Sequence, residues 1–378
     1  METEKLYYQD CNIKSFTAKV TGCEETKGGY AVTLEATAFY PEGGGQPCDL
    51  GVLGDAEVLD VREKEDKILH LCDKPLKVGS TVTGSIDWER RLDLMQQHTG
   101  EHILSGLIHQ KYGAHNVGFH MGADTVTIDF DVMIPPEDLE ELENAANQAI
   151  YADLIVACEY PPEEALPGIP YRSKKALEYP VRIVTVPGCD CCACCGVHVK
   201  TTGQVGLIKI LSSVKFHQGS RLEILCGGRA LHFFQKLWEQ NRLVMAAFSA
   251  KALETGVAAQ RMNDALAQEK FRATGLQKKL FEITAESYAG KGDVVHFAEE
   301  LTPGQVRELA DSIGAVCGGV SAVFSGDSFC LVRKDGDVKA LGQALTKAFN
   351  GRGGGKAGVF QGSLKATREE IRDFFIEN

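Results

Sequence analysis

His98 and His102 stand four residues apart in "WERRLDLMQQHTGEHILSGLIHQKYG", a stretch that reads as one helix running from a cap at Asp87 to a stop at Gly113. Four residues advance about 400° around a helix, so both imidazoles share one face, one turn apart. Downstream, "GCDCCACCGVHV" over 188–199 crowds five cysteines into seven residues and adds His198. Two histidines on a helix with a Cys and a His from a tight turn make a tetrahedral nitrogen–sulfur set suited to Zn²⁺. No other pattern in the chain constrains the fold as strongly, because such a set requires helix and turn to pack side by side.

Two further readings of these residues stay open. "HTGEH" also fits the H-x-x-E-H motif of inverted-zincin peptidases, with Glu101 as general base and Glu178 as an acidic third ligand. That mechanism leaves Cys194 and His198 without a purpose. The cysteines also suit a redox or metal-storage patch, since at most two of them can readily join the histidine pair.

The 378 residues allow two or three domains, and 44% hydrophobic with 24% charged residues is an ordinary soluble mixture. "METEKLYYQD" has no basic region followed by an apolar one, and no run approaches the ~18–20 apolar residues of a membrane span. Thirteen cysteines without a secretion signal point to a reducing cytoplasm with some thiols kept for metal. The net charge of −12 argues against broad electrostatic attachment to nucleic acid but leaves room for a local basic patch.

Before Asp87 the chain reads as short strands: "YAVTLEATAFY", "AEVLDVRE", "KILHLC" and "STVTGSID", interrupted by the glycine-rich "YPEGGGQPCDLG". After the HTGEH helix, "DTVTIDFD" predicts a strand and "PPEDLEELENAANQAIYA" an amphipathic helix opening after Pro136. Strand-like runs return over 180–225. A helical region spans roughly 229–285, where Met262, Leu266, Ala273, Leu276 and Leu280 fit a heptad broken by Glu269, predicting a helical hairpin or stalk. From "GKGDVVHFAEEL" onward, strands and helices alternate in a compact α/β unit.

Four separated motifs, in this order, resemble the AlaX family, free-standing relatives of the alanyl-tRNA synthetase editing domain. "TAFYPEGGGQ" resembles its T-x-F-Y-P-x-G-G-G-Q segment, "HTGEH" its H-T-x-x-H, and "CCGVHV" its C-G-G-T-H-V. "GRGGGKAGVFQGS" is similar to the glycine-rich signature of the C-Ala domain, which points to the long form. The resemblance implies an α+β multidomain chain: a β-barrel over 1–86, a zinc-containing editing core over 87–226, a helical, coiled-coil-like stalk over 227–285 and a C-Ala-like domain over 286–378. It implies one zinc per chain on His98, His102, Cys194 and His198, with Cys194 preferred over Cys195 because the family spacing is C-x-x-x-H. Cys195 and Val197 depart from the family pattern, replacing a Gly and a Thr.

The implied activity is hydrolysis of the ester joining serine, and sometimes glycine, to alanine tRNA. Thr99, Asn116 and Gln46 are the catalytic candidates, with His120 a further polar group. Arg352, Lys356 and Phe360 are candidates for tRNA contact, the last as a stacking face. The glycine signature is not a P-loop, because Asn350 and Ala357 fall on its defining positions. The C-terminal domain implies tRNA binding and a possible homodimer. Eighty-six residues before the HTGEH helix are too few for an ATP-dependent activation domain, so a cytoplasmic hydrolase acting in trans is expected rather than a ligase. The alternatives are a non-catalytic tRNA binder of the same fold and the peptidase.

Overall fold

Glycines, Asp and Pro between short alternating runs predict strands before Asp87. A computed structural model, describing residues 2–173 and 177–377, shows six of them closed on themselves. They are β1 (Ser15–Thr26), β2 (Gly29–Leu34), β3 (Gly51–Leu53), β4 (Ala56–Lys64), β5 (Lys67–Cys72) and β6 (Thr81–Ile86). The barrel order is β1-β2-β5-β4-β3-β6. Alternate side chains point inward, as the two-residue period of a strand requires, so Phe16, Val20, Val32, Leu34, Leu53 and Ile68 fill the interior.

Helix α1 (Trp88–Tyr112) follows directly. The Asp87 side chain accepts the Arg90 N–H at 3.1 Å, and Gly113 closes the helix in the left-handed conformation, φ 65°. Strands β7 (Asn116–Met121) and β8 (Val126–Phe130) come next, then α2 (Leu139–Tyr151), opened by a turn at Pro136. Beyond them lie β9 (Ala157–Glu159), β10 (Ile183–Val186), β11 (Asp190–Ala193), β12 (Ile208–Phe216) and β13 (Gly219–Cys226). An antiparallel sheet of order β12-β13-β8-β7 presents Val126, Ile128, Leu222 and Ile224 to Leu94, Leu104 and Ile108 of α1 and to Leu142, Ala146 and Ile150 of α2. A three-stranded sheet, β9-β10-β11, carries the cysteine cluster at its edge.

A buried ion pair ties barrel to helix. Arg91 of α1 and Asp49 of the loop before β3 are both fully buried and paired. The Arg91 Nε–H donates to Asp49 Oδ1 at 2.9 Å, and its Nη groups donate to the Cys11 and Ala38 carbonyls at 2.8 and 2.6 Å. Asp49 also accepts the Tyr40 N–H at 2.6 Å. Each guanidinium nitrogen and both carboxylate oxygens thus have a partner, the condition under which two charges tolerate removal from water.

The chain divides into two compact units, Met1–Asn241 and Arg242–Asn378, with the division inside helix α3 (Gly227–Phe248). Helix α4 (Thr255–Glu286) runs through the predicted heptad. Met262, Leu266, Leu276 and Leu280 are exposed on it, while Phe281 and Ala285 enter the core of the second unit. That unit is built on β14 (Gly292–Phe297), α5 (Pro303–Gly314), β15 (Gly318–Ser325), β16 (Ser328–Val332), α6 (Lys339–Ala348), β17 (Arg352–Lys356), β18 (Val359–Ser363) and α7 (Arg368–Glu377). Its sheet order is β14-β15-β16-β18-β17. No helix among the described residues is long and apolar enough to cross a membrane.

The glycine signature is a hairpin, β17 paired with β18, and β17 is an exposed edge carrying Arg352 and Lys356. Phe360 does not offer the stacking face expected of it. Phe360 is 3% exposed, stacks on Phe329 and lies where a side chain at Gly342 would collide with it. Alternation along β18 turns position 360 into the core, so no face is left for a base.

Two outcomes are expected. Asp49→Ala leaves the Arg91 guanidinium buried without its partner and should lower the stability of the first unit by about 3–5 kcal/mol, read from urea denaturation. Loss of the partly exposed Lys5–Glu63 pair should lower it by under ~1 kcal/mol. The second concerns His70, inside the barrel between Thr37 Oγ1 at 2.8 Å and the Val32 carbonyl at 3.1 Å. Burial pushes its pKa from 6.5 down to about 4. The unfolded chain takes up this proton below pH 6.5 and the folded chain refuses it until about pH 4. His70 therefore contributes fully above pH 6.5, and its contribution, on the order of 3 kcal/mol, fades as pH falls through that window. Urea midpoints of His70→Gln should lack this part of the slope.

Candidate metal centre

From Gln97 to Gly106 helix α1 is buried on every side, although Gln97, His98, Thr99, Glu101, His102 and Ser105 are polar. A helix so placed needs a partner for each of these groups. Gln97 supplies its own by exchanging two hydrogen bonds with the Cys226 backbone, at 2.8 and 2.9 Å. The histidines turn to the loop after β11, where Cys194 and His198 meet them. His98, His102, Cys194 and His198 bring their ligand atoms within 4.8 Å of one another and could hold a metal ion.

Each imidazole is held through Nδ1, which leaves Nε2 for the centre. His98 Nδ1 bonds Gln46 Oε1 at 2.8 Å. The same oxygen accepts the Val197 N–H at 3.2 Å, and a backbone N–H can only donate, which fixes the orientation of the Gln46 amide. His102 Nδ1 bonds Asp190 Oδ2 at 2.9 Å, and Arg172 clamps Asp190 with two hydrogen bonds of 2.7 and 2.8 Å. His198 Nδ1 meets Thr99 Oγ1 at 3.2 Å, which also accepts the Val199 N–H. Metal-ligating histidines characteristically use their second nitrogen in this way.

The donors fit a metal on two further observations. His198 Nε2 is buried with no hydrogen-bond partner among the described residues, a costly state unless another group occupies it. Cys194 Sγ lies 3.5 Å from His98 Nε2 and accepts the Gly196 N–H at 3.3 Å, as a thiolate would. Burial opposes a charge on Cys194, but His98 and His102 outweigh it and hold the thiol well below its ordinary pKa. Burial also opposes charge on His102, where Cys194 and Asp190 prevail and raise it. At His198 burial and the neighbouring His98 push the value down to about 3, and Asp190 is held at about 2 against burial by His102 and Arg172.

The loop carrying Cys194 is braced from behind. Arg182 donates to the Cys194 and Gly196 carbonyls at 2.9 and 2.8 Å and lies over the Tyr8 ring, whose hydroxyl donates to the Cys195 carbonyl at 2.8 Å. Gly196 is required there, since a Cβ would come within 2.1 Å of the His98 ring. On the barrel side, the Gly43–Gln46 turn needs positive φ at Gly44 and Gly45, which is why the run before Gln46 is glycine.

A cavity of about 530 Å³ opens beside the cluster, lined by Gly44, Gly45, Glu101, His102, Asn116, Phe119, Arg172, Cys192 and Cys194, among others. Of the sequence candidates, Asn116 lines this cavity, Gln46 supports His98 and Thr99 supports His198. His120 is exposed and is not among the residues that line it. Cys195 stays outside the ligand group and the Val197 side chain lies in the apolar core. Glu178 is exposed and joins no such group among the described residues, so the acidic ligand of a peptidase site is missing from the cluster. Asp190, Arg172 and Arg182 carry no spacing signal and are evident only in three dimensions.

Residues 1–90 match the family described as tRNA synthetases class II (A), and residues 181–222 match the threonyl and alanyl tRNA synthetase second additional domain. Alanine–tRNA ligase from Pyrococcus abyssi is 30% identical over 96% of this chain and 42% of its own length. The chain thus spans about two fifths of the length of such ligases. It aligns end to end with alanyl-tRNA editing protein AlaX-L from Pyrococcus horikoshii, 29% identical over 99% of this chain and 98% of that one. Alanyl-tRNA editing protein Aarsd1-A from Xenopus laevis is 28% identical over 93% and 89%. The chain is thus similar over nearly its whole length to alanyl-tRNA editing proteins.

Replacing Cys194 by Ala should abolish stoichiometric zinc binding, whereas Cys192→Ala, whose thiol burial holds up at about 11, should retain it. Asp190→Ala should keep the ligands yet weaken zinc by about 10- to 100-fold. Competition with a chromogenic chelator measures all three.

Proposed function

We propose that the chain is a zinc-dependent hydrolase that acts in trans on alanine tRNA charged with the wrong amino acid, serine and also glycine. The observation that carries this reading is the buried three-histidine, one-cysteine cluster opening onto a cavity, in a chain that aligns end to end with alanyl-tRNA editing proteins. Zinc held by His98, His102, Cys194 and His198 would supply Lewis acidity beside the aminoacyl end.

The remaining work belongs to the protein's own residues. Gln46, Asp190 and Thr99 fix the three imidazoles. Phe119 stacks on His98 with ring centroids 5.3 Å apart and walls the cavity with apolar surface. The Gly44–Gly45 turn brings backbone to the cavity edge, where the 3′ end of a tRNA would enter. Alanine is smaller than serine, so a synthetase pocket cannot exclude serine by size, and a second site that hydrolyses the wrong ester answers that problem.

In this reading the barrel and editing core carry the chemistry, the helices over 227–285 form a stalk, and the C-terminal unit is C-Ala-like. Arg352 and Lys356 on its exposed edge strand are the tRNA-contacting cations, and this unit also supports a homodimer. A cytoplasmic setting matches the charged tRNA substrate and the reduced thiols.

The test is deacylation of serine-, glycine- and alanine-charged alanine tRNA by the purified chain. Hydrolysis of the first two, with the alanine ester spared and activity lost on chelation, is expected. One bound zinc with retained tRNA affinity and no hydrolysis would instead identify a non-catalytic binder.

A further inference from the structure

A second cavity, of about 410 Å³, adjoins the one beside the metal cluster across Asn116, Arg172 and Cys192, and is lined beyond them by His109, His115 and Tyr171. Ligand pockets of roughly 300–1,000 Å³ take molecules the size of an amino acid joined to a nucleoside. The first cavity, at about 530 Å³, therefore has room for the aminoacyl-adenosine on its own. Hydrolysis of the ester makes no use of the second.

The walls of this second cavity are fixed from opposite sides. Residues 171–173 are tied to β11, where the Arg172 N–H donates to the Cys191 carbonyl at 2.8 Å and the Ala193 N–H donates to the Arg172 carbonyl at 2.9 Å. That pairing holds the half-buried Tyr171 in the wall. Across from it, His109 stands in the last turn of α1 with Nδ1 2.8 Å from the Ala114 carbonyl. A carbonyl only accepts, so Nδ1 carries the proton and the neutral ring offers Nε2 as an acceptor. This Nε2 has no partner among the described residues and is not sealed from solvent. The His115 ring lies 5.7 Å away, held by Asp131 at 2.9 Å.

An aromatic ring and an acceptor of fixed sense in one cavity suit a nucleobase, whose face stacks and whose edge is read by hydrogen bonds. The sense of that bond selects among bases. Cytosine presents an amino group, a donor, where uracil presents a carbonyl oxygen that would face Nε2 as acceptor against acceptor.

We propose that the second cavity is the subsite for the nucleotide preceding the terminal adenosine of the tRNA, with Tyr171 stacking on its base and His109 Nε2 accepting a hydrogen bond from the amino group of a cytosine. This rests on the function proposed above and adds a second point of recognition to it. One phosphodiester joins the two nucleotides, which requires the two cavities to adjoin, as they do.

The probes are 3′-amino-3′-deoxyadenosine carrying serine in amide linkage, alone or extended on its 5′ side by cytidine or by uridine; the amide does not turn over. Calorimetry on the zinc-loaded chain should show the cytidine extension binding about tenfold tighter than the unextended probe. The uridine extension should bind about fivefold more weakly than the cytidine one. Tyr171→Ala should bring both extended probes within about twofold of the unextended one, while Tyr171→Phe, which keeps the ring, retains the gain. His109→Ala should bring the cytidine and uridine probes within about twofold of each other. A thermal melt confirms that each variant is folded.

Equal gains from cytidine and uridine in the unaltered chain would overturn the reading of the amino group. A gain that survives both Tyr171→Ala and His109→Ala would place the added nucleotide elsewhere and overturn the subsite. An unaltered chain that binds all three probes equally and hydrolyses seryl-tRNA refutes the subsite alone. One that neither binds the unextended probe nor hydrolyses charged tRNA refutes the proposed function as well.

Discussion

The convergence of three imidazoles on one thiol, buried within the first unit, is the constraint that the surrounding structure answers to. Four ligand atoms within 4.8 Å of one another cannot be held by side chains free to rotate. Each histidine is therefore fixed by a second hydrogen bond from a different part of the chain: a barrel-side loop through Gln46, strand β11 through Asp190, and α1 itself through Thr99. Buried polar groups in low dielectric are rigid when satisfied and expensive when not. The bonds that orient the ligands are thus also the bonds that allow a polar helix to run through a core.

The Arg91–Asp49 pair extends this arrangement to the barrel. Asp49 lies three residues after Gln46 and Arg91 seven residues before His98, so the pair sets the spacing between the glycine turn and the HTGEH face. An exposed pair at this position would be screened and worth little. A fully buried one, with every guanidinium nitrogen and carboxylate oxygen hydrogen-bonded, holds the two parts in one register. The polar groups around the cavity follow the same economy: Asp190 is shared between His102 and Arg172, and Glu101 between Ser105 and Asn116.

Much of this was legible in the sequence where the signal is local. Asp87 and Gly113 bound the helix because capping is decided by neighbouring residues. The four-residue spacing of His98 and His102 places both on one face before any tertiary contact is known. Val197, which departs from the family pattern near the ligands, could not be judged that way. Its side chain turns into the apolar core while its N–H serves Gln46, and only the fold reveals which of the two matters. Phe360 was misread for a related reason: a glycine-rich stretch looks like an open loop, yet it pairs as a hairpin and its alternation buries the ring. Asp190, Arg172 and Arg182 act through partners 12 to 88 residues away, and no spacing in the chain announces such contacts.

The central claim is that one metal ion is held by three histidine nitrogens and one cysteine sulfur, and that this centre organises the cavity. X-ray absorption at the zinc edge, on the purified chain with its metal content determined, tests that claim most directly. The account requires one zinc per chain with a first shell of three nitrogens and one sulfur. A shell dominated by two or more sulfurs would move the metal into the cysteine cluster of 189–195 and contradict the assignment of His98, His102, Cys194 and His198.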